Sequence, residues 1–491
     1  MKTRRAPAAG WEIRRNHEDG KKGGTVNSNW ICTSVFTILI LAGLARGEAK
    51  PKATNGQATN SPNAPVTLSA AAPGSVGFDQ GRLNLLNAAM HRMVDEGEVA
   101  GITTMLVRHG KIVSYDAYGK DSIAKNTPLR RDSIFRMYSQ TKPVTGVAMM
   151  ILFEQGKWQL NHPVSRYIPE FANLKVFAGL DKDGKPILED PSQPPTMAML
   201  MTHTAGFGYG LMVENYTDYV NQQFQKLGVL RSNGLHEAVT KIASIPLLYQ
   251  PGTRWSYSAA VDIQGYIVEK LSGQRFGAFL AEHLFTPLGM KDTGFYAAGD
   301  KAARLASVYQ FDPENKKLIE LTPVTNSGAK ENYVKEGHED FTKQPSMDSG
   351  GGGLVSTIDD YARFCQMILN GGTYNGVRIL APASVALMEA DHIPATVMPE
   401  ETGGFPAFGG PVLGYGLDFA VIKDPARMGT PAGQGSMFWG GGAGTWFWID
   451  PKNDLFFLGM VQRVGDDVAH LAASLMISQT LVYDALTESN K

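Results

Sequence analysis

A long apolar stretch with a clear period lies between Lys142 and Gly156. Val144, Val147, Ala148, Ile151 and Leu152 fall at i, i+3, i+4, i+7 and i+8, one face of a helix. Met149, Met150 and Phe153 cover much of the remaining circumference, so the spacing predicts a helix buried all round. Pro143 has no N–H and its ring clashes with a carbonyl four residues back, so this helix starts close to Ser139. Gly156 supplies a C′ stop. A second helical pattern, "DQGRLNLLNAAMHRMVDEG", opens the body of the chain from about Phe78, and "DVAHLAASLMISQTLVYDAL" closes it. Between the first helix and Ser139, "GITTMLVRHGKIVSYDAYG" holds two β-rich runs around His109-Gly110-Lys111, a hairpin by pattern. "GTWFWIDPKNDLFFLGMVQ" repeats that pattern around Asp450 to Asp454. Hairpins at both ends and a helix- and loop-rich stretch between them predict an α/β (α+β) fold. Its antiparallel sheet is built from both chain ends and flanked by helices, with a mostly helical lobe inserted.

Composition narrows the function classes. At 491 residues with 43% hydrophobic content, the chain can bury a large core. Lys plus Arg (46) balance Asp plus Glu (47) with no basic stripe, which argues against a nucleic-acid partner. The N-terminus carries a basic stretch with Arg4, Arg5, Arg14, Arg15, Lys21 and Lys22. A short apolar run, Trp30 to Ala45, and small residues follow. That order is a secretory signal peptide, placed at 1–49 with cleavage after Ala45 or Ala49, and it predicts a periplasmic or secreted protein. Residues 50–77 read as a flexible linker, and 78–487 as the functional domain. No further membrane segment is expected. Cys32 lies in the signal and Cys365 inside an apolar helix pattern, so no disulfide framework or cysteine metal site is available. The histidines are scattered, without H-E-x-x-H; no metal and no cofactor are expected.

The candidate chemistry sits at the mouth of the buried helix. In "MYSQTKPV", Ser139 and Lys142 are one turn apart and share a face. A serine hydroxyl needs a base within hydrogen-bond reach, and a lysine serves when burial or a helix N-terminus favours its neutral form. The pattern alone is cheap: Ser122-Ile-Ala-Lys125 and Ser327-Gly-Ala-Lys330 also match. Both run into polar, breaker-rich sequence, so context selects Ser139. Gly179 to Lys185 matches the start of a phosphate-binding loop, but Pro186 stands where Ser or Thr belongs, and "DKDGKP" reads as a hairpin turn. No G-x-S-x-G occurs.

"MYSQTKPVTGVAMMILFEQGKWQLNHPVSRYIPEF" resembles the opening active-site segment of serine β-lactamase-like hydrolases, and is most similar to the family VIII carboxylesterases, which share the class C β-lactamase fold. "MLMTHTAGF", "YQPGTRWSYSAAVDIQGYIVEKLSG", "SGGGGLVSTIDDYARFCQMILNGG" and "FWGGGAGTWFWIDP" follow in family order. The resemblance implies Ser139 as the acylated nucleophile, Lys142 as its base and Tyr257 as the tyrosine that shares proton transfer. It puts Trp439-Gly440-Gly441 at the third motif, where β-lactamases have Lys-Thr-Gly, and implies an oxyanion hole from the N–H groups of Ser139 and Gly442. Tyr257-Ser258-Ala259 departs from the second motif of β-lactamases, which ends in Asn. The literal Y-x-N, Tyr219-Val220-Asn221, reads as an amphipathic surface helix. His203 is expected to support its loop structurally, and the run Gly350 to Gly353 to permit tight backbone packing. The expected activity is hydrolysis of small esters. A β-lactamase or D,D-peptidase is the alternative within the enzyme class, and a sensor on an inactivated hydrolase scaffold the alternative outside it.

Overall fold

Alternation along the central strands decides how the sheet is covered. In β2 (Gly101–Arg108), Met105 and Val107 join one apolar cluster while Ile102 and Leu106 join another. The strand Thr445–Asp450 repeats this, with Phe447 and Ile449 on the first side and Trp446 and Trp448 on the second. Successive side chains on a strand point to opposite faces. With both faces apolar, the sheet needs helices on both sides. One side receives α1 (Gln80–Asp95), through Leu83, Leu86 and Met90, and the final helix, Asp467–Ala485, through Leu475 and Val482. The other receives the helix Ile358–Leu369 and, beyond it, the helical lobe.

The structure, a computed structural model, describes residues 68–210, 218–312, 314–321, 340–394, 396–397, 400–402, 405–464 and 467–488. The expected signal segment, Cys32 and the Ser327–Lys330 pair lie outside them. The sheet joins both chain ends as the sequence predicts: Leu455–Met460 runs antiparallel to β2, with Phe457 opposite Leu106. Beyond them lie β3 (Lys111–Ser122) on one side and Thr445–Asp450, Met437–Gly441, Ala420–Ile422 and Leu413–Tyr415 on the other.

Two details differ from the sequence reading. The edge strand β1 (Ser69–Ala70) pairs parallel to β3, so the sheet is not wholly antiparallel. The connection through α1 is long enough to permit a parallel neighbour. Residues 68–77, assigned to the linker, therefore carry structure: β1, a 3-10 turn at Pro73–Val76, and Gly77, whose carbonyl accepts the Thr487 N–H. The inserted lobe contains α2 (Lys142–Glu154), packed against the helix Ala260–Ser272, and the hairpin Val176–Leu180/Pro186–Glu189 around Asp181–Lys185.

Candidate active site

Ser139 sits where the lobe meets the sheet. A 3-10 turn, Tyr138–Thr141, feeds directly into α2, so Ser139 precedes the helix by three residues and Pro143 falls in its first turn. Of the tetrad 139–142 only Ser139 is partly exposed; Gln140, Thr141 and Lys142 are buried. Tyr138 adopts φ 43°. A left-handed non-glycine residue costs about 1–3 kcal/mol and persists only where the surroundings dictate it. Here the Met137 N–H donates to Leu354 O, the Gln140 N–H to Met137 O, and the Leu354 N–H to Thr141 Oγ1, which clamp the turn.

Two side chains reach the Ser139 hydroxyl. Lys142 Nζ donates to Ser139 Oγ at 3.3 Å, and the Tyr257 hydroxyl donates to the same oxygen at 2.5 Å. Tyr257 is itself buried, just ahead of the helix Ala260–Ser272. The structure thus brings together the three residues that the sequence singled out. Lys142 Nζ also lies 4.5 Å from the Tyr257 ring centroid. Burial pushes the Lys142 amine down to about 7, against the opposing pull of Asp262 and Asp418. A lysine in that range is partly neutral at neutral pH and able to take a proton.

Sequence reasoning missed the rest of the lysine's shell. Nζ donates to the Gly351 carbonyl at 2.6 Å and to the Tyr209 hydroxyl at 3.3 Å. Tyr209 lies in "GFGYG", where an aromatic flanked by glycines was the available signal. Asn221 accounts for its position: Oδ1 accepts the N–H groups of Tyr209 and Gly210 at 2.7 and 3.0 Å. The literal Y-x-N is therefore no plain surface helix. In Tyr219–Lys226, Val220, Asn221 and Phe224 are buried, and Asn221 anchors the Tyr209 loop. Tyr219 itself stacks on Phe177. The glycine run packs closely: a Cβ at Gly350 would stand 2.4 Å from Val261 O.

Strand Met437–Gly441 carries the third motif to this point. A Cβ on Gly441 would lie 2.0 Å from Met137 O, so the strand end abuts the turn that holds Ser139, and Thr445 Oγ1 donates to the same carbonyl at 3.3 Å. Gly442 begins the turn that follows, after Trp439, Gly440 and Gly441 complete the strand. Trp439 is buried in an aromatic wall with Tyr257, Tyr415 and Phe408, at ring separations of 5.9, 5.4 and 6.3 Å.

His203 lies behind that wall. Its Nδ1 accepts the Ser258 N–H at 3.2 Å, its carbonyl accepts the Ser256 N–H, and its ring packs on Trp255, Tyr257 and Tyr415. Burial, and secondarily Lys142, push the imidazole well below its usual range. A neutral ring that braces the Tyr257 loop matches the structural role expected of it. Of the other S-x-x-K matches, the Ser122 hydroxyl at the end of β3 accepts the Lys125 N–H and pairs with the Tyr309 hydroxyl. Cys365 is fully buried, and burial raises its thiol well above the normal range.

A mixed sheet clad by helices, with a serine, a lysine and a tyrosine converging where an inserted helical lobe meets it, is the β-lactamase/transpeptidase class of fold. The chain belongs to the Beta-lactamase family, whose model matches residues 86–480. Protein Rv1367c of Mycobacterium tuberculosis is 33% identical over 395 residues, 79% of this chain and 92% of that protein. Esterase EstB of Burkholderia gladioli is 32% identical over 374 residues, 74% of this chain and 86% of EstB. Among solved structures, EstCE1, a hydrolase with promiscuous acyltransferase activity, superposes with a TM-score of 0.66 at 24% identity, covering 82% of this chain and 99% of its own. The protein is thus a β-lactamase-fold hydrolase with esterase and acyltransferase relatives.

Proposed function

We propose that this protein is a serine carboxylesterase that cleaves short-chain, uncharged esters through an acyl-enzyme on Ser139. The observation that carries the reading is the convergence of Lys142 Nζ and the Tyr257 hydroxyl on one partly exposed serine oxygen, at 3.3 and 2.5 Å. Ser139 Oγ attacks the ester carbonyl as its proton passes into the Lys142–Tyr257 pair. The tetrahedral oxyanion is received by the N–H groups of Ser139 and Gly442, and its collapse expels the alcohol with a proton returned by the same pair. Water then repeats the sequence on the acyl-enzyme and releases the acid.

Substrate choice follows from Trp439. Penicillins and D-Ala-D-Ala peptides present a carboxylate, and a cation at the third motif binds it with a charge-assisted hydrogen bond of roughly 1.5–3 kcal/mol. An indole in an aromatic wall offers an apolar face instead. Ester alkoxides also leave with less protonation than amide nitrogens, which suits Ala259 in place of Asn. The N-terminal segment supports export, with action in the periplasm or outside the cell.

The test couples a serine-reactive fluorophosphonate with a substrate panel. The adduct is expected on Ser139 and absent in Ser139→Ala, and kcat/KM for p-nitrophenyl butyrate is expected to exceed that for a penicillin and a cephalosporin. Label on another serine, or preference for the penicillin, refutes the reading.

A further inference from the structure

Two carboxylates lie buried beside Lys142, and the reaction outlined above uses neither. Asp262 comes from the first turn of the helix Ala260–Ser272, and Asp418 from the segment between Leu413–Tyr415 and Ala420–Ile422; they are 1% and 0% exposed. A buried carboxylate stays charged only when donors solvate it. Asp262 has two on one oxygen: the Ser349 hydroxyl at 2.6 Å and the Gly351 N–H at 3.1 Å. Asp418 has one amide donor, Gln264 at 3.1 Å, and burial pushes its carboxyl well above the usual range. Asp262 is therefore the better hydrogen-bonded of the two carboxylates.

Gly351 links Asp262 to the base. Its N–H is held by Asp262, and its carbonyl accepts Lys142 Nζ at 2.6 Å. A Cβ at residue 351 would stand 2.7 Å from both Asp262 Oδ2 and the Tyr209 hydroxyl, so only glycine lets carboxylate, tyrosine and lysine close on the same peptide. We propose that Asp262 is a positioning residue for Lys142: it fixes the Gly351 peptide whose carbonyl orients the amine. The inference rests on the reading of Lys142 as the base.

The groups that face Lys142 are Asp262, Asp418, the hydroxyls of Ser139 and Tyr209, the Tyr257 ring and, electrostatically, His203. Burial pushes the amine down, while Asp262 and Asp418 push it up. Removing the Asp262 charge must therefore lower the pH at which Lys142 loses its proton. The experiment follows kcat/KM for p-nitrophenyl butyrate, and the rate of fluorophosphonate labelling at Ser139, against pH in wild type, Asp262→Asn and Ser349→Ala. Asp262→Asn is expected to move the acidic limb of both profiles down by about 1 unit, the low end for a neighbouring opposite charge. Its kcat falls while KM stays within about threefold, the signature of a lost transition-state contribution. Ser349→Ala keeps the charge; its limb stays at the wild-type pH while kcat falls about fivefold, one hydrogen bond's worth. An Asp262→Asn limb that coincides with wild type overturns the proposal, as does a Ser349→Ala limb that moves equally far. Should Asp262→Asn fail to fold, wild-type kcat in Ser349→Ala overturns it. A wild-type protein that is neither labelled on Ser139 nor active on esters would instead sink the base assignment itself.

Discussion

Gly441→Ala probes the seam between the third-motif strand and the turn that carries Ser139. The added Cβ would stand 2.0 Å from Met137 O and 2.6 Å from Thr445 Oγ1. Carbon and carbonyl oxygen in close native contact sit about 3.3–3.6 Å apart, so strand and turn must separate by about 1.3 Å. Neither neighbour yields easily. Met137 O is backbone, already accepting the Gln140 N–H at 3.1 Å, and Thr445 Oγ1 is bonded to that same oxygen. The separation would move the Ser139 N–H away from the turn that begins at Gly442. A misplacement near 1 Å costs about 10²-fold in rate when the displaced groups act on the reacting atoms. The expected outcome is a fall in kcat of about that size on p-nitrophenyl butyrate, with KM within about threefold. Thermal unfolding should register a loss of about 1–3 kcal/mol from overpacking. A variant that turns over ester within about twofold of wild type would show that the strand end does not hold the oxyanion site, and the reasoning fails.

Tyr257→Phe, which removes the hydroxyl 2.5 Å from Ser139 Oγ, is expected to lower kcat at least about 10²-fold. Tyr219→Phe is expected to be silent and Tyr209→Phe to cost about fivefold, one hydrogen bond; steady-state kinetics separate them, and a silent Tyr257→Phe refutes the assignment. Lys142→Met is expected to abolish activity yet to change stability with a defined sign. The amine falls from 10.5 to about 7 on folding, so the unfolded chain binds more protons between those limits and wild-type stability rises with pH across them. Calorimetry should therefore find Lys142→Met gaining most over wild type at pH values below about 7 and losing that advantage towards pH 10; a pH-independent difference contradicts the buried-amine picture. Trp439→Lys is expected to raise kcat/KM for a penicillin by about tenfold or more, the value of one charge-assisted bond, and to lower it for p-nitrophenyl butyrate. Unchanged selectivity would remove Trp439 from substrate choice.

Much of the architecture was legible because it rests on local periodicity. Alternation in Gly101–Arg108 and Thr445–Asp450 and the helical period after Pro143 are properties of neighbouring residues, and they specify hairpin, strand and buried helix without reference to the rest of the chain. The pairing of the two ends followed from their common need to bury apolar faces. Ser139 and Lys142 could be paired by eye because one helical turn joins them. Local pattern misled at Asn221, where polar neighbours implied a surface helix, and at residues 68–77, whose composition resembles a linker although two of them add a strand to the sheet edge.

The sequence by itself determined a two-ended sheet and a buried helix with a serine and a lysine at its mouth, while the place of Trp439 at the third motif is what the family resemblance implies. Only the tertiary structure decided what surrounds that lysine. Tyr209 and Gly351 reach Lys142 from 67 and 209 residues away, and Asp262 reaches Gly351 across 89. No helical or strand period relates such positions. Their meeting is fixed by the packing of α2 on the helix Ala260–Ser272 and by glycines small enough to let the segments close. Once closed, they exclude water from the amine, and that exclusion, a property of the assembled fold, pushes the lysine down to about 7 and suits it to the base role proposed for it.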